Sequence, residues 1–461
     1  MVLISTWDQH MRRSIYQEDS EKPNDAMNAG TARTTSRPSG RPLGIYIAGA
    51  ALRLALFTLF PGLPDLLTGR VEISTPVTSF KRLQEGLFLY NHNVSPYDGG
   101  VYHQAPLLLP LFSLLPDVAT YPIFTALLYI AVDLFCADAL LQIAESGEAG
   151  SSAKFQSPRR QRRWSGAIVA AIYLFSPFTI ATCIGRSTAV FTSCAVLHAI
   201  AKAIQGRTLG ALVSIAFASY LSMSPLLLLP PLLVLAYDRQ PPAPARAHLS
   251  ASPAKFAVVG TGVVMAVLAV LAALSLVITA FSWEFLASTY GIQLTLADLT
   301  PNAGLWWYFF IEMFDPFRSF FLAVFWLHLA SYVGGLTVRI RTQPLAALSI
   351  LLGLFAIFKP YPSIADTALF LGLLPLFRHV FPLMRYPFVI AAVIVYAVFL
   401  GPAFWHLWIY AGSGNANFFY AITLVWSLVQ SLLVSDFTFA LLRDEWEVDR
   451  PEMVGKEIRQ I

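Results

Sequence analysis

The sequence predicts an all-α fold, a polytopic bundle of transmembrane helices, from three observations. Of its 461 residues, 56% are hydrophobic and only 13% charged, about half the charge of a soluble chain. Mean hydropathy is +0.61, and apolar runs recur along nearly the whole length. The aromatic share is 13%, which suits repeated interfacial belts where Trp and Tyr keep one end apolar and the other wet. The three cysteines, Cys136, Cys183 and Cys194, sit inside apolar runs and form no CxxC pair. Neither a disulfide framework nor a zinc site is indicated, and no metal or cofactor is expected. No HExxH, phosphate loop or Rossmann fingerprint occurs, and no Ser-His-Asp or Cys-His spacing argues for a nucleophile.

In chain order, residues 1–42 are polar and rich in Ser, Thr, Pro, Gly and charge. They lack the apolar core of a cleavable signal and read as a disordered cytosolic tail. A multispan membrane domain is expected over 43–445, with a second cytosolic tail at 446–461. The first span, 43–62, contains Arg53, and an arginine in a span faces the bundle interior with a partner. The loop 63–104 mixes charge, turn residues and short amphipathic pieces, and long ordered loops are often functional. It holds the sequon Asn93-Val94-Ser95, followed by Pro96. In 105–143, Pro110 and Pro116 break the first part, which reads as interfacial or re-entrant; the second part makes one crossing. Lys154, Arg159, Arg160, Arg162 and Arg163 make 145–164 basic and therefore cytosolic. Further spans are expected near 165–184, 187–204, 208–222, 223–238, 255–281, 316–338, 345–358, 363–376, 386–409 and 418–442. The expected total is about twelve, with both termini cytosolic and the loops 63–104, 282–303, 359–362 and 410–417 on the luminal side.

Three stretches carry candidate site residues. Between Gly401 and Asp436, two apolar runs flank the uncharged turn Gly412-Ser413-Gly414-Asn415-Ala416-Asn417. Trp405, Trp408, Tyr410, Phe418, Phe419 and Tyr420 crowd it. Asn415 and Asn417 offer donors and acceptors to a polar head group. They equally suit a helix-to-helix turn, since Asn tolerates left-handed backbone angles. In the second stretch, Asp298 to Phe321, Asp298-Leu299-Thr300-Pro301 reads as a capped helix start. Leu305 to Phe314, with Trp306, Trp307 and Tyr308, is expected to lie flat or shallow at the interface. Of Glu312, Asp315 and Arg318, only the last two are spaced to pair on a helix. In the third stretch, Lys359 and Asp366 flank Pro-Tyr-Pro between two runs of about fourteen residues. Either they wall a head-group cavity, or Lys359 snorkels and Asp366 satisfies a neighbouring helix. Glu72, Glu85 and Asp98 are the plausible bases of the first long loop, should it carry sugar-transfer chemistry.

RVEISTPVTSFKRLQEG, VSPYDGGVYHQAPLL, DLTPNAGLWWYFFIEMF, KPYPSIAD and HLWIYAGSGNANFFYAITL, in this order, together resemble the PIG-U family of glycosylphosphatidylinositol (GPI) transamidase subunits. The resemblance runs from about residue 44 to 445. It implies a multi-pass endoplasmic reticulum subunit of the complex that replaces a C-terminal signal with GPI, joining the new carboxyl end to an ethanolamine amine. It implies that the cysteine-protease-like chemistry belongs to another subunit, PIG-K. This chain would then be non-catalytic, recognising the GPI lipid and holding the membrane part together with GPAA1, PIG-T and PIG-S. The family is similar in architecture to the GT-C-like GPI mannosyltransferases, which share the SPY…PLL pattern. A mannosyltransferase using dolichol-phosphate mannose is thus the alternative. Arg70-Val71-Glu72 stands where an Asp-containing catalytic motif is expected in those enzymes, which argues against it. With the resemblance naming the ligand, the candidate GPI-binding residues are Asn415, Asn417, Phe418, Tyr420, Trp408, Trp306, Trp307, Tyr308, Glu312, Arg318, Lys359 and Asp366.

Overall fold

A computed structural model describes residues 42–240 and 252–456. The expected N-terminal tail, apart from Pro42, lies outside the described residues, as does most of the Pro-rich loop 239–254. Among the described residues every regular element is helical, with one isolated bridge between Ser151 and Gln156.

The chain opens with α1 (Leu43–Leu59). Three short helices follow in the first long loop and the proline-broken segment after it: α2 (Leu63–Thr68), α3 (Phe80–Asn91) and α4 (Leu108–Ser113). The first long span is α5 (Pro122–Ser146). Next, α6 (Gly166–Leu174) and α7 (Pro177–Ile184) meet at a 54° bend. Pro177 cannot donate to the ladder, and Ser176 before it is pushed out of the helical region. The chain continues through α8 (Ala189–Ile204), α9 (Thr208–Leu221), α10 (Leu229–Asp238) and α11 (Pro253–Ile278). It ends with α12 (Trp306–Glu312), α13 (Asp315–Arg339), α14 (Pro344–Phe358), α15 (Ile364–Leu373), α16 (Pro387–Ile409) and α17 (Ala416–Asp449). The last helix runs past the boundary expected at 445.

The expected count of about twelve spans is not reached by helix length. Among the described residues, six helices are long and apolar enough to cross a membrane, or seven if α6 and α7 form one bent span, and five other apolar helices have only 10–17 residues. At 1.5 Å per residue, 17 residues rise about 26 Å, short of a hydrocarbon core of about 30 Å. Turns and prolines, such as Pro344, Pro230 and the Ser222–Ser224 break, set these limits. Segments α11, α13 and α16 bury little of their surface in the protein and turn Val270, Leu327 and Phe399 outward. That is how a lipid-facing helix disposes its side chains.

Arg53 has the partner its position demands. It is fully buried, and its Nε donates to Asp133 Oδ2 at 2.7 Å. Nη1 donates to the carbonyls of Leu174 (2.8 Å) and Gly49 (3.2 Å). Asp133 Oδ1 accepts from the Tyr173 hydroxyl at 3.0 Å. One ion pair thus fastens α1, α5 and α6.

Helix α14 is apolar on every side and buried along its whole length save Phe358, as a central helix must be. Gly353 lets α17 approach it: a Cβ there would stand 2.6 Å from Val434 Cγ2 and 3.1 Å from the Phe370 ring. Gly353→Leu is therefore expected to cost about 1–3 kcal/mol through overpacking. Thermal aggregation of the detergent-solubilised protein would move to lower temperature. Gly262→Leu on α11, where an added Cβ meets nothing within 4 Å, should leave it unchanged.

Candidate functional site

Helices α16 and α17 form an antiparallel hairpin whose turn is the Gly412–Asn417 stretch. The left-handed residue there is Gly412, at φ +63°, and the amides of Ser413 and Gly414 donate to the Leu407 carbonyl at 3.0 and 3.1 Å. Asn415 is extended, at φ −142° and ψ 174°, so the turn makes no use of asparagine's tolerance for left-handed angles. Instead Asn415 caps α17: its Oδ1 accepts from the amides of Asn417 (3.0 Å) and Phe418 (3.3 Å). Asn417 Oδ1 accepts from the Tyr308 hydroxyl, joining the hairpin to α12. Both asparagines are exposed.

The aromatic candidates divide. Trp307 is buried against Trp408, with centroids 6.4 Å apart and rings nearly parallel, and meets Tyr420 edge-on at 5.8 Å. Tyr308 stacks on Tyr420 at 4.5 Å. Phe418 is exposed and stacks on Phe404. Trp306 faces the other way, into Phe310, Phe325 and Trp326. Trp306 and Trp307 are 0% and 1% exposed, so the expected shallow interfacial helix is instead a packed element with its tryptophans inside the protein. A second correction concerns its start, at Trp306 rather than at Asp298. Asp298 Oδ1 accepts from the Thr300 amide at 2.8 Å, and Oδ2 pairs with Arg82 at 2.8 Å. Burial pushes this carboxyl up, but the Thr300 bonds and Arg82 outweigh burial and hold it below its ordinary value. The capping carboxylate is thus committed to tying this loop to α3.

Glu312 is exposed on α12 and interacts with Tyr308. Three candidates, Arg318, Lys359 and Asp366, lie apart from the turn. Arg318 donates to the Leu296 carbonyl at 2.7 Å and covers the Phe310 ring rather than pairing with Asp315. Lys359 and Asp366 form an ion pair at 2.6 Å, and Asp366 also accepts from the Ser363 amide, closing a capping box for α15. They line a small internal pocket with Gln104, Thr188, Gln293 and Tyr361.

A larger opening was not legible in the sequence. An apolar groove of about 660 Å³ runs between the hairpin, α2 and α7, lined by Phe178, Ile394, Ala397, Gly401, Phe419 and Trp426 among others. Phe419 also packs on Trp307, Trp405 and Trp408, so the groove and the aromatic cluster below the Asn415 turn share a wall. At the groove's edge Arg70 grips Glu72 with two bonds, Nη2–Oε1 at 2.8 Å and Nε–Oε2 at 3.1 Å. The Glu72 carbonyl accepts from the Ile364 amide at 2.9 Å. Helix α16 is apolar on all sides, so its sequence has no periodicity to mark the inward face. The sequence places Cys194 in an apolar run, with no Cys-His spacing that argues for a nucleophile; on α8 its Sγ lies 3.6 Å from Nδ1 of His198, four residues on. His198 Nδ1 lies 2.9 Å from the carbonyl of Cys194 in its own helix, a local contact. The arrangement is suited to holding an amphiphile: an apolar trough with the Arg70–Glu72 pair at its edge and aromatic rings along the wall it shares with the hairpin.

Comparison with known proteins identifies the family. A family profile described as GPI transamidase subunit PIG-U matches residues 47–426. The GPI transamidase component GAB1 of Saccharomyces cerevisiae is 36% identical over 413 residues, covering 88% of this chain and 95% of its own length. The human GPI-anchor transamidase component PIGU is 35% identical over 416 residues, covering 87% and 94%. The Schizosaccharomyces pombe GAB1 homolog is 34% identical over 404 residues, covering 86% and 93%. Matches of this extent in fungi and mammals alike place the chain in the PIG-U family of GPI transamidase subunits.

Proposed function

We propose that this chain is a non-catalytic subunit that holds the GPI lipid for transfer to precursor proteins in the endoplasmic reticulum and supports assembly of the membrane complex. The observation that carries the proposal is the apolar groove sharing the Phe419 wall with the turn of Asn415 and Asn417. Lipid chains occupy the groove, and the inositol-glycan head lies at the rim, on the luminal side. Neutral amides there bond sugar hydroxyls and phosphate oxygens without desolvating a charge. The basic end of the bundle and both termini are cytosolic. PIG-K, as the catalytic subunit, GPAA1, PIG-T and PIG-S are the expected partners. Glu72, the acid closest to a transferase role, is already gripped by Arg70, which supports this reading over a mannosyltransferase.

Ala397→Phe tests it by narrowing the groove. Surface display of a GPI-anchored reporter and co-purified GPI should both fall about fivefold, equivalent to about 1 kcal/mol, with partner subunits still recovered. Tyr396→Trp, an exposed neighbour on α16, should have no effect. Wild-type anchoring in Ala397→Phe at normal protein level would rule the groove out. Accumulation of GPI lacking mannoses would favour the transferase.

A further inference from the structure

A second cavity has a volume of about 320 Å³. It lies where α5 ends, under the loop 147–165, against Arg239 at the end of α10 and His379 beyond α15. Arg160, Arg163, Arg239, His379, Gln161 and Trp164 line it, and its lining contains no carboxylate. Of the acids nearby, Glu148 pairs with the lining Arg239, and Asp444 and Glu447 pair with Arg159. Arg160 and Arg163 form no ion pair among the described residues. His379 is 2% exposed, and its Nε2 has no hydrogen-bond partner.

Two glycines shape the wall. A Cβ on Gly147, which sits at φ +68°, would stand 2.9 Å from Arg163 Nη1. One on Gly150 would stand 3.2 Å from Arg160 Cβ and 3.8 Å from His379 Nδ1. Any larger residue would fill the space between the arginines and the histidine. The C-terminal end of α5 contributes partial negative charge; Glu148 offsets one of the cavity's three arginines, and Asp444, which acts on His379, is held by Arg159, so a positive excess remains. A buried imidazole nitrogen without a partner, beside the Arg160 and Arg163 guanidiniums without carboxylates, leaves room for an acceptor group.

We propose that this cavity binds a phosphate monoester, borne either by a membrane lipid or by a soluble molecule. Guanidinium groups match phosphate oxygens two at a time, and the volume, at the lower end of ligand pockets, suits a head group. The inference does not depend on the GPI reading, since the site shares no residue with the groove.

The test uses the full chain, purified in detergent with the subunits that accompany it. Labelled dioctanoyl phosphatidic acid is titrated against it, with dioctanoyl phosphatidylcholine and inorganic phosphate as competitors. Saturable phosphatidic acid binding, unaffected by phosphatidylcholine, is expected. The double variant Arg160→Ala/Arg163→Ala should weaken it about tenfold or more. Arg207→Ala/Arg341→Ala removes equal charge away from the cavity and should change affinity less than about twofold. Both cavity arginines are exposed at their outer ends; should recovery of the double variant fall, Arg163→Gln alone should still weaken binding about threefold. Displacement by inorganic phosphate supports the site and marks a soluble ligand; resistance to it supports the site and marks a lipid. Equal losses in the two double variants, or displacement by phosphatidylcholine, would overturn the proposal.

Discussion

Arg53→Leu should remove most of the folded protein from the membrane. The guanidinium and the Asp133 carboxylate are 0% and 1% exposed and 2.5 Å apart at closest approach. Leucine leaves Asp133 as a buried charge whose remaining polar partner is the Tyr173 hydroxyl. It also strips the Leu174 carbonyl of its donor at the point where the α6–α7 bend begins. Breaking one side of such a pair costs about 3–5 kcal/mol, comparable with the whole stability of many domains. Asp133→Leu should be as damaging, because it isolates the cation. Arg53→Leu/Asp133→Leu leaves no unpaired charge and should recover part of the loss, the remainder reflecting the orphaned Leu174 carbonyl and Thr179. Steady-state abundance and decay after translation arrest measure all three. Wild-type abundance in both single variants would show that Arg53 reaches solvent or lipid head groups and does not rely on Asp133.

The need for a partner at Arg53 was legible because a charge in an apolar run has few ways to be tolerated. That the partner is Asp133 was not, since the two are 80 residues apart and nothing local links them. The helical class followed from composition, but span lengths did not: apolar character says that a segment is buried, and α14 meets that demand inside protein as fully as a lipid-facing helix does outside it. At the site, the motif residues Asn415, Asn417 and Tyr420 fall together, and Trp408, Trp307 and Tyr308 join them through ring contacts across two other helices. Lys359, Asp366, Arg318 and Trp306 belong elsewhere: the first two pair with each other, Arg318 bonds the Leu296 carbonyl, and Trp306 packs on α12 and α13. The groove escaped notice because it is a gap between three apolar surfaces, and no residue type marks a gap.

Asn415→Asp separates capping from head-group recognition, which alanine cannot do. The Asn415 side chain spends its oxygen on the amides of Asn417 and Phe418, so Asn415→Ala loses about 1 kcal/mol of helix capping whatever the ligand does. Aspartate keeps both acceptor bonds and places negative charge at a helix N-terminus, where it is favoured. If Asn415 only caps, Asn415→Asp should anchor a reporter as well as wild type and melt no lower. If the amide nitrogen, free of intramolecular bonds among the described residues, donates to a phosphate or sugar oxygen, aspartate removes the donor and opposes the phosphate. Co-purified GPI should then fall about tenfold or more, the loss of one hydrogen bond to a charged group, with complex assembly intact. At Asn417 the side-chain oxygen accepts from the Tyr308 hydroxyl. Asn417→Asp preserves that bond, whereas Asn417→Lys has no acceptor to offer the hydroxyl and sets an ammonium beside Tyr308 and the groove's rim. The lysine variant should therefore be the more severe, losing both the tether to α12 and the lipid, and the aspartate variant should lose the lipid alone. Normal GPI recovery and anchoring in the Asn415→Asp/Asn417→Asp double variant would leave these asparagines with the helix cap and the Tyr308 tether as their whole role, and would move the head group away from this turn.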